Sequence, residues 1–106
     1  MLPKKNRITR SVYNDLFKKG KNIFSPLFTV KYLDDGSEKK FSVVIPKKVL
    51  SLAHDRNSLR RLTYDIIYDL LSDFKPGHYI FIFKKNTGES KKEDLITEVK
   101  SIIKKI

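Results

Sequence analysis

The sequence predicts a single α+β domain, an α/β sandwich with element order α-β-β-α-β-α around a small central sheet. Three observations carry that reading. Two alternating apolar runs, Phe28–Leu33 and Phe41–Ile45, flank Asp34-Asp35-Gly36, which reads as a hairpin turn. Helical periodicity then runs from Asp55 to Ser72 or Asp73. Beyond it, His78–Phe83 is almost wholly apolar, as a strand covered on both faces must be.

Each element has its own local signals. The first helix is expected from Ser11 to Lys19, with Val12, Leu16 and Lys19 on one stripe, Tyr13 and Phe17 on the next, and Gly20 closing it. Phe28, Val30 and Tyr32 share one strand face, as do Phe41, Val43 and Ile45. Pro46 stops the second strand, and Lys47–Ser51 is a connection. Asp55 is the expected N-cap of the second helix. Lys75-Pro76-Gly77 is a turn, and Lys84–Glu89 a polar loop. Ser90 and Glu93 have capping-box spacing before a last helix whose stripe is Leu95, Val99, Ile102 and Ile106. A strand, a helix and a strand in that order imply a crossover, right-handed by default.

A chain of 106 residues, 40% hydrophobic, has room for one core and one domain, residues 1–106. Charge is lopsided: 23 Lys and Arg stand against 12 Asp and Glu, a formal net charge of +11. Self-repulsion on that scale points to a polyanionic partner, nucleic acid before membrane. Without cysteine there are no disulfides, thiolate metal sites or thiol nucleophiles, which suits a cytoplasmic protein. No apolar stretch approaches ~20 residues, so no membrane partner is expected. Met1–Arg7 is basic with no apolar segment behind it, unlike a secretory signal.

The second helix carries the chemistry. Leu59, Leu62, Ile66 and Leu70 fall in an arc of roughly 80°. Arg56, Asn57, Arg60, Arg61, Tyr64 and Tyr68 fall in another of roughly 140°. Three arginines near the start of a helix oppose the positive end of its dipole by tenths of a kcal/mol each. A helix built for stability alone carries acids there, so the placement points to an anion outside the chain. Arginine's planar fork suits phosphate, and a plainly solvated face is the alternative. Lys47 and Lys48 extend the patch, and Lys4, Lys5, Arg7, Arg10, Lys18, Lys19 and Lys21 form a further basic region. Tyr13, Phe17, Phe28 and Tyr32 are the aromatics that could stack on unpaired bases, with burial in the core as the alternative.

Enzymatic constellations are poor. His54 and His78 lack ligand spacing, and there is no glycine-rich phosphate loop. Asp65, Asp69 and Asp73 form an i, i+4 ladder that could hold Mg²⁺ but reads first as a solvated face. No catalytic residue, protein-bound metal or small-molecule substrate is expected.

Taken together, these segments resemble the bacterial ribonuclease P protein subunit. Arg56-Asn57-Ser58-Leu59-Arg60-Arg61 is similar to that family's arginine-asparagine-arginine helix. Leu2-Pro3-Lys4-Lys5-Asn6-Arg7-Ile8 resembles its opening segment, and Tyr13–Lys21 its first helix with two aromatics, a basic pair and a glycine. Ser25-Pro26-Leu27-Phe28 resembles the start of its first strand, and Val43–Val49 its strand followed by Ser-Lys-Lys. The match runs in order to about Phe83, and the last helix agrees in place and pattern. Departures are Pro46 for a usual serine, Leu50 for a usual glycine, and Ser58, Leu62 and Tyr64 where the family is often basic. They bear on the strength of the RNA surface more than on its location.

The resemblance implies a left-handed crossover in place of the right-handed default. It implies that Arg56, Asn57, Arg60 and Arg61, with Lys47 and Lys48 nearby, contact the catalytic RNA subunit. Tyr13 and Phe17, with Phe28 and Tyr32, would line a cleft for the single-stranded 5′ leader of precursor tRNA. It implies a subunit of an endoribonuclease whose catalysis lies in RNA, with Mg²⁺ held mainly by RNA phosphates. A free-standing RNA-binding module, such as one acting on ribosomal RNA, is the alternative. Such proteins tend to carry a long basic tail.

Overall fold

A computed structural model describes residues 6–8, 10–34, 38–84 and 92–106, with the side chains of 10–12 excepted. Helix α1 (Arg10–Lys19) ends at Gly20, whose N–H donates to the Leu16 carbonyl at 2.8 Å. A Cβ at Gly20 would collide with that carbonyl, which accounts for a glycine at this close approach. Strands β1 (Lys21–Phe24) and β2 (Phe28–Leu33) form an antiparallel hairpin. Ser25 Oγ accepts the Phe28 N–H at 3.2 Å inside the connecting turn. Strand β3 (Lys39–Val44), helix α2 (Ala53–Asp69), a 3₁₀ turn (Leu71–Asp73), strand β4 (Gly77–Phe83) and helix α3 (Lys92–Lys105) complete the chain.

The α+β class stands, with two corrections. Strand β1 was not expected, so three strands precede α2. The strands expected as a hairpin are not neighbours: the sheet order is β1-β2-β4-β3. Strand β4 lies between them, antiparallel to β2 and parallel to β3. Burial explains this. All but Ile82 of β4 is buried, and a strand with two apolar faces belongs in the middle of a sheet. The Asp35-Gly36 part of the expected turn lies outside the described residues. So do residues 1–5, Lys85–Glu89 and the Ser90 of the capping box.

One sheet face bears the main core. Phe28, Val30, Phe41, Val43, Tyr79, Phe81 and Phe83 pack there with Ile66 and Ile67 of α2 and Leu95, Val99 and Ile102 of α3. The Tyr79 hydroxyl donates to the Lys75 carbonyl at 2.6 Å, and burial pushes its pKa well up. Helix α1 packs on β2 and β4 from the other face, where Ile80 is fully buried, as is Leu16 of α1.

Helix α2 sits differently from its apolar pattern. Its buried residues are Thr63, Ile66 and Ile67, while Leu59, Leu62 and Leu70 are half-buried. The buried arc is turned by about 50° toward the arginines at 100° per residue. Thr63 tolerates full burial because its Oγ1 donates to the Leu59 carbonyl at 2.8 Å. The helix starts at Ala53, after Leu52, with no side-chain cap, so Asp55 lies inside the first turn and is not the cap.

The outer edge of β3 is sealed by groups from elsewhere in the chain. Asn6 Nδ2 donates to the Lys39 carbonyl at 2.8 Å, and the Ile8 N–H to the Phe41 carbonyl at 3.2 Å. The Val43 N–H donates to the Tyr64 hydroxyl at 3.1 Å. An unsealed edge of this kind invites pairing with another chain. Tyr64→Phe removes the acceptor and is expected to lower stability by about 1–2 kcal/mol in urea denaturation. An unchanged midpoint would mean that the hydroxyl is not what closes the edge.

Candidate nucleic-acid interface

The rotation of α2 sorts its polar residues. Asn57, Ser58 and Arg61 are exposed, while Arg56, Arg60 and Tyr64 are drawn half into the packing boundary. Arg56 Nη1 donates to the carbonyls of Leu50 at 3.0 Å and Ser51 at 2.7 Å. It therefore ties the incoming connection to the first turn as well as carrying charge. Arg60 Nη1 donates to Asn57 Oδ1 at 2.8 Å, which orients one guanidinium edge. Asn57, Arg60, Arg61, Tyr64 and Asp65 line one groove together with Arg7, which arrives through a parallel bridge to Phe41. Three guanidinium groups, an amide and a hydroxyl against one carboxylate form a donor-rich surface suited to phosphate.

Lys47 and Lys48 are exposed on a tight turn after β3. The Pro46 carbonyl accepts the N–H of Val49 at 3.0 Å and of Leu50 at 3.3 Å, and Val49 anchors the turn in the core. From Val49 the chain enters α2 within four residues, so both lysines stand near its N-terminus. The acidic ladder is broken: Asp65 and Asp69 are on α2, but Asp73 belongs to the 3₁₀ turn. Among the described residues, no three of His, Asp and Glu gather as a set that could hold a metal ion.

The four aromatics expected to line a cleft divide by sheet face. Tyr13 and Phe17 pack against each other on α1 with ring centroids 4.8 Å apart and their planes tilted by 53°, and Phe17 is 43% exposed. Burial raises the pKa of the Tyr13 phenol above its ordinary value. Phe28 needs correction: it is 0% exposed, edge-on to Phe81 at 5.5 Å and Phe83 at 4.7 Å. Its face cannot reach a base without opening the core. Tyr32 lies on that same core face by strand alternation, half-buried beside Tyr79 at 4.8 Å, with its hydroxyl donating to the Pro76 carbonyl.

The residues of β2 that face α1 are the alternate ones. Lys31 Nζ lies 5.2 Å from the Phe17 centroid and donates to Asn22 Oδ1 at 3.1 Å. Lys31 and the neighbouring strand β1 went unnoticed in the sequence. The usable signals were strand parity, which puts Lys31 opposite Phe28, and Ile23-Phe24 bounded by Gly20 and Ser25-Pro26.

Comparison with known proteins gives the family and the fold. The Ribonuclease P family profile matches residues 2–106. The chain belongs to the ribonuclease P protein family, the protein components of a tRNA-processing ribonuclease. It is 35% identical over 74 residues to the ribonuclease P protein component of Carboxydothermus hydrogenoformans, spanning 66% of this chain and 63% of that one. It is 22% identical over 105 residues to that of Xylella fastidiosa, spanning 98% of this chain and 78% of that one. Its fold is similar to the ribonuclease P protein of Thermotoga maritima, with a TM-score of 0.84 at 21% identity, covering 94% of this chain and 96% of that one. The Staphylococcus aureus protein gives 0.82 at 18% identity, covering 95% and 94%. Family membership does not favour the free-standing module. No described helix is long and apolar enough to cross a membrane.

Arg60 and Arg56 separate charge from scaffold. Arg60→Ala is expected to weaken RNA binding and to make its log-log salt dependence shallower by about 1, with the fold intact. Arg56→Ala leaves two carbonyls without their donor and is expected to lower stability by about 1 kcal/mol as well. Filter binding across a salt series, with urea denaturation alongside, checks both; equal stability of the two variants would count against the tether.

Proposed function

We propose that this chain is the protein subunit of ribonuclease P and that it meets RNA on two separate surfaces. The groove of Arg7 with Asn57, Arg60 and Arg61, flanked by Lys47 and Lys48, binds the catalytic RNA subunit. The sheet face under α1, with Tyr13, Phe17 and Lys31, holds the single-stranded 5′ leader of precursor tRNA. The observation that carries this reading is the pairing of an exposed aromatic, Phe17, with the Lys31 ammonium, on a different face from the arginines. A stacking ring beside a cation is what an unpaired nucleotide needs.

In this reading the protein binds and orients while RNA hydrolyses the phosphodiester bond that releases the leader. Mg²⁺ is held mainly by RNA phosphates, and the complex works in the bacterial cytoplasm. Holding the leader at a fixed place converts a floppy strand into a positioned one, which favours the productive geometry at the cleavage point.

Tyr13→Ala tests the assignment. Stacking contributes ~1–3 kcal/mol per base, so the variant holoenzyme is expected to bind precursor tRNA roughly tenfold more weakly. Binding of mature tRNA should be nearly unchanged, and precursor cleavage should require the RNA subunit. Equal losses for precursor and mature tRNA, or specific 5′ cleavage by rigorously purified protein alone, would overturn the reading.

A further inference from the structure

Phe24 is the last residue of β1 and stands 58% exposed. A single exposed apolar side chain is ordinary on a protein surface. What surrounds this one is not. Its register partner is Thr29, and Asn22, two residues earlier, is paired with Lys31. Paired residues share a sheet face, so the Phe24 ring lies on the same face as Lys31 and Phe17. Lys84, just beyond β4, holds its Nζ 5.7 Å from the Phe24 centroid. Lys105 of α3 donates to the Phe24 carbonyl at 2.7 Å and adds a third cation at this edge.

The sheet face therefore carries two aromatic–lysine pairs, Phe17 with Lys31 and Phe24 with Lys84. Alternating rings and cations along one surface match the stacking faces and phosphates of a single-stranded nucleic acid. An acidic or apolar protein segment would satisfy only one half of that pattern.

Position fixes which nucleotides could arrive there. Strand β1 is one edge of the sheet and β3 the other. The arginine groove lies at the β3 edge, where Arg7 bridges Phe41 and Tyr64 bonds Val43. If the catalytic RNA docks at that groove, a leader crossing the sheet from the cleavage point reaches Phe17 first and Phe24 later. We propose that Phe24 and Lys84 form a second base-stacking station for an unpaired leader nucleotide lying 5′ of the one at Phe17. This rests on the two-surface reading above, and it makes leader length a determinant of affinity.

The test uses holoenzyme reconstituted with its own RNA subunit and precursor tRNAs whose leaders grow one nucleotide at a time. Wild-type affinity is expected to rise with leader length and then level off. With Phe24→Ala it should level off at a shorter leader, on the order of tenfold weaker for long leaders. Short leaders and mature tRNA should bind as before. Phe24→Tyr should restore the wild-type profile, and Lys84→Ala should weaken only the long leaders. The ring is exposed, so the thermal midpoint of Phe24→Ala should stay near that of the wild type. A Phe24→Ala profile that follows the wild type at every length overturns the second station alone. An equal loss at every length, mature tRNA included, assigns Phe24 to another contact and also overturns it. A wild-type protein whose affinity ignores the leader altogether overturns the leader-binding face and the station together.

Discussion

The whole arrangement depends on burying β4 on both faces. Tyr79, Phe81 and Phe83 point toward α2 and α3, and Ile80 points toward α1, all at or near zero exposure. An apolar strand of this kind has no stable place at a sheet edge, where one flank of its backbone and part of its side chains would meet water. Seated between β2 and β3, it forces two consequences. The β3 to β4 connection must cross over the sheet, and α2 makes that crossing. The sheet also needs cover on two sides, which α1 supplies on one and α2 with α3 on the other.

Those consequences separate the large core from the charged surfaces. The face under α2 and α3 holds nearly all the large buried side chains, including the packed rings of Phe28, Phe41, Phe74, Tyr79 and Phe81. The face under α1 is covered by one short helix and keeps rings and lysines at its margins. The β3 edge takes Asn6, Ile8 and Tyr64 as its hydrogen-bond partners, and this docking carries Arg7 into the α2 groove. Structural hydrogen bonds at the edge and a cationic surface beside it are thus products of the same contact.

Much of this was legible in the sequence, for identifiable reasons. The apolar run at 78–83, the helical period after Asp55 and the stripe of the last helix are local patterns, and each marks an element, though α2 ends at Asp69 and a 3₁₀ turn takes Leu71–Asp73, where the helix was expected to continue. The clustering of Arg56, Asn57, Arg60 and Arg61 was legible because it runs against the helix dipole. Strand pairing was not, because which strand sits beside which depends on how much surface each must bury across the whole domain. The four aromatics show the same limit. Strand alternation placed Phe28, Val30 and Tyr32 together but could not say which side the helices with the larger apolar stripes would cover. Once α2 and α3 take that side, Phe28 becomes core and Lys31 becomes the residue that meets Phe17.

The departures from the family's usual basic residues on α2 take on different meanings in three dimensions. Tyr64 accepts the Val43 N–H, so an aromatic hydroxyl there closes the β3 edge, a role that a lysine could not fill because it has no acceptor. Leu62 is half-buried against the core, where a cation would be poorly solvated. At both positions the side chain serves packing or an edge hydrogen bond rather than charge. Ser58 is fully on the surface and takes part in neither. The cations are not scattered: Arg7, Arg60 and Arg61 line one groove, and Asn57 fixes the direction of one of them. An arginine already oriented by a neighbour, as Arg60 is by Asn57, loses less side-chain freedom when it meets phosphate than one that is free to rotate. A helix with fewer cations can thereby still present a defined donor surface while contributing more to the stability of the sheet it crosses.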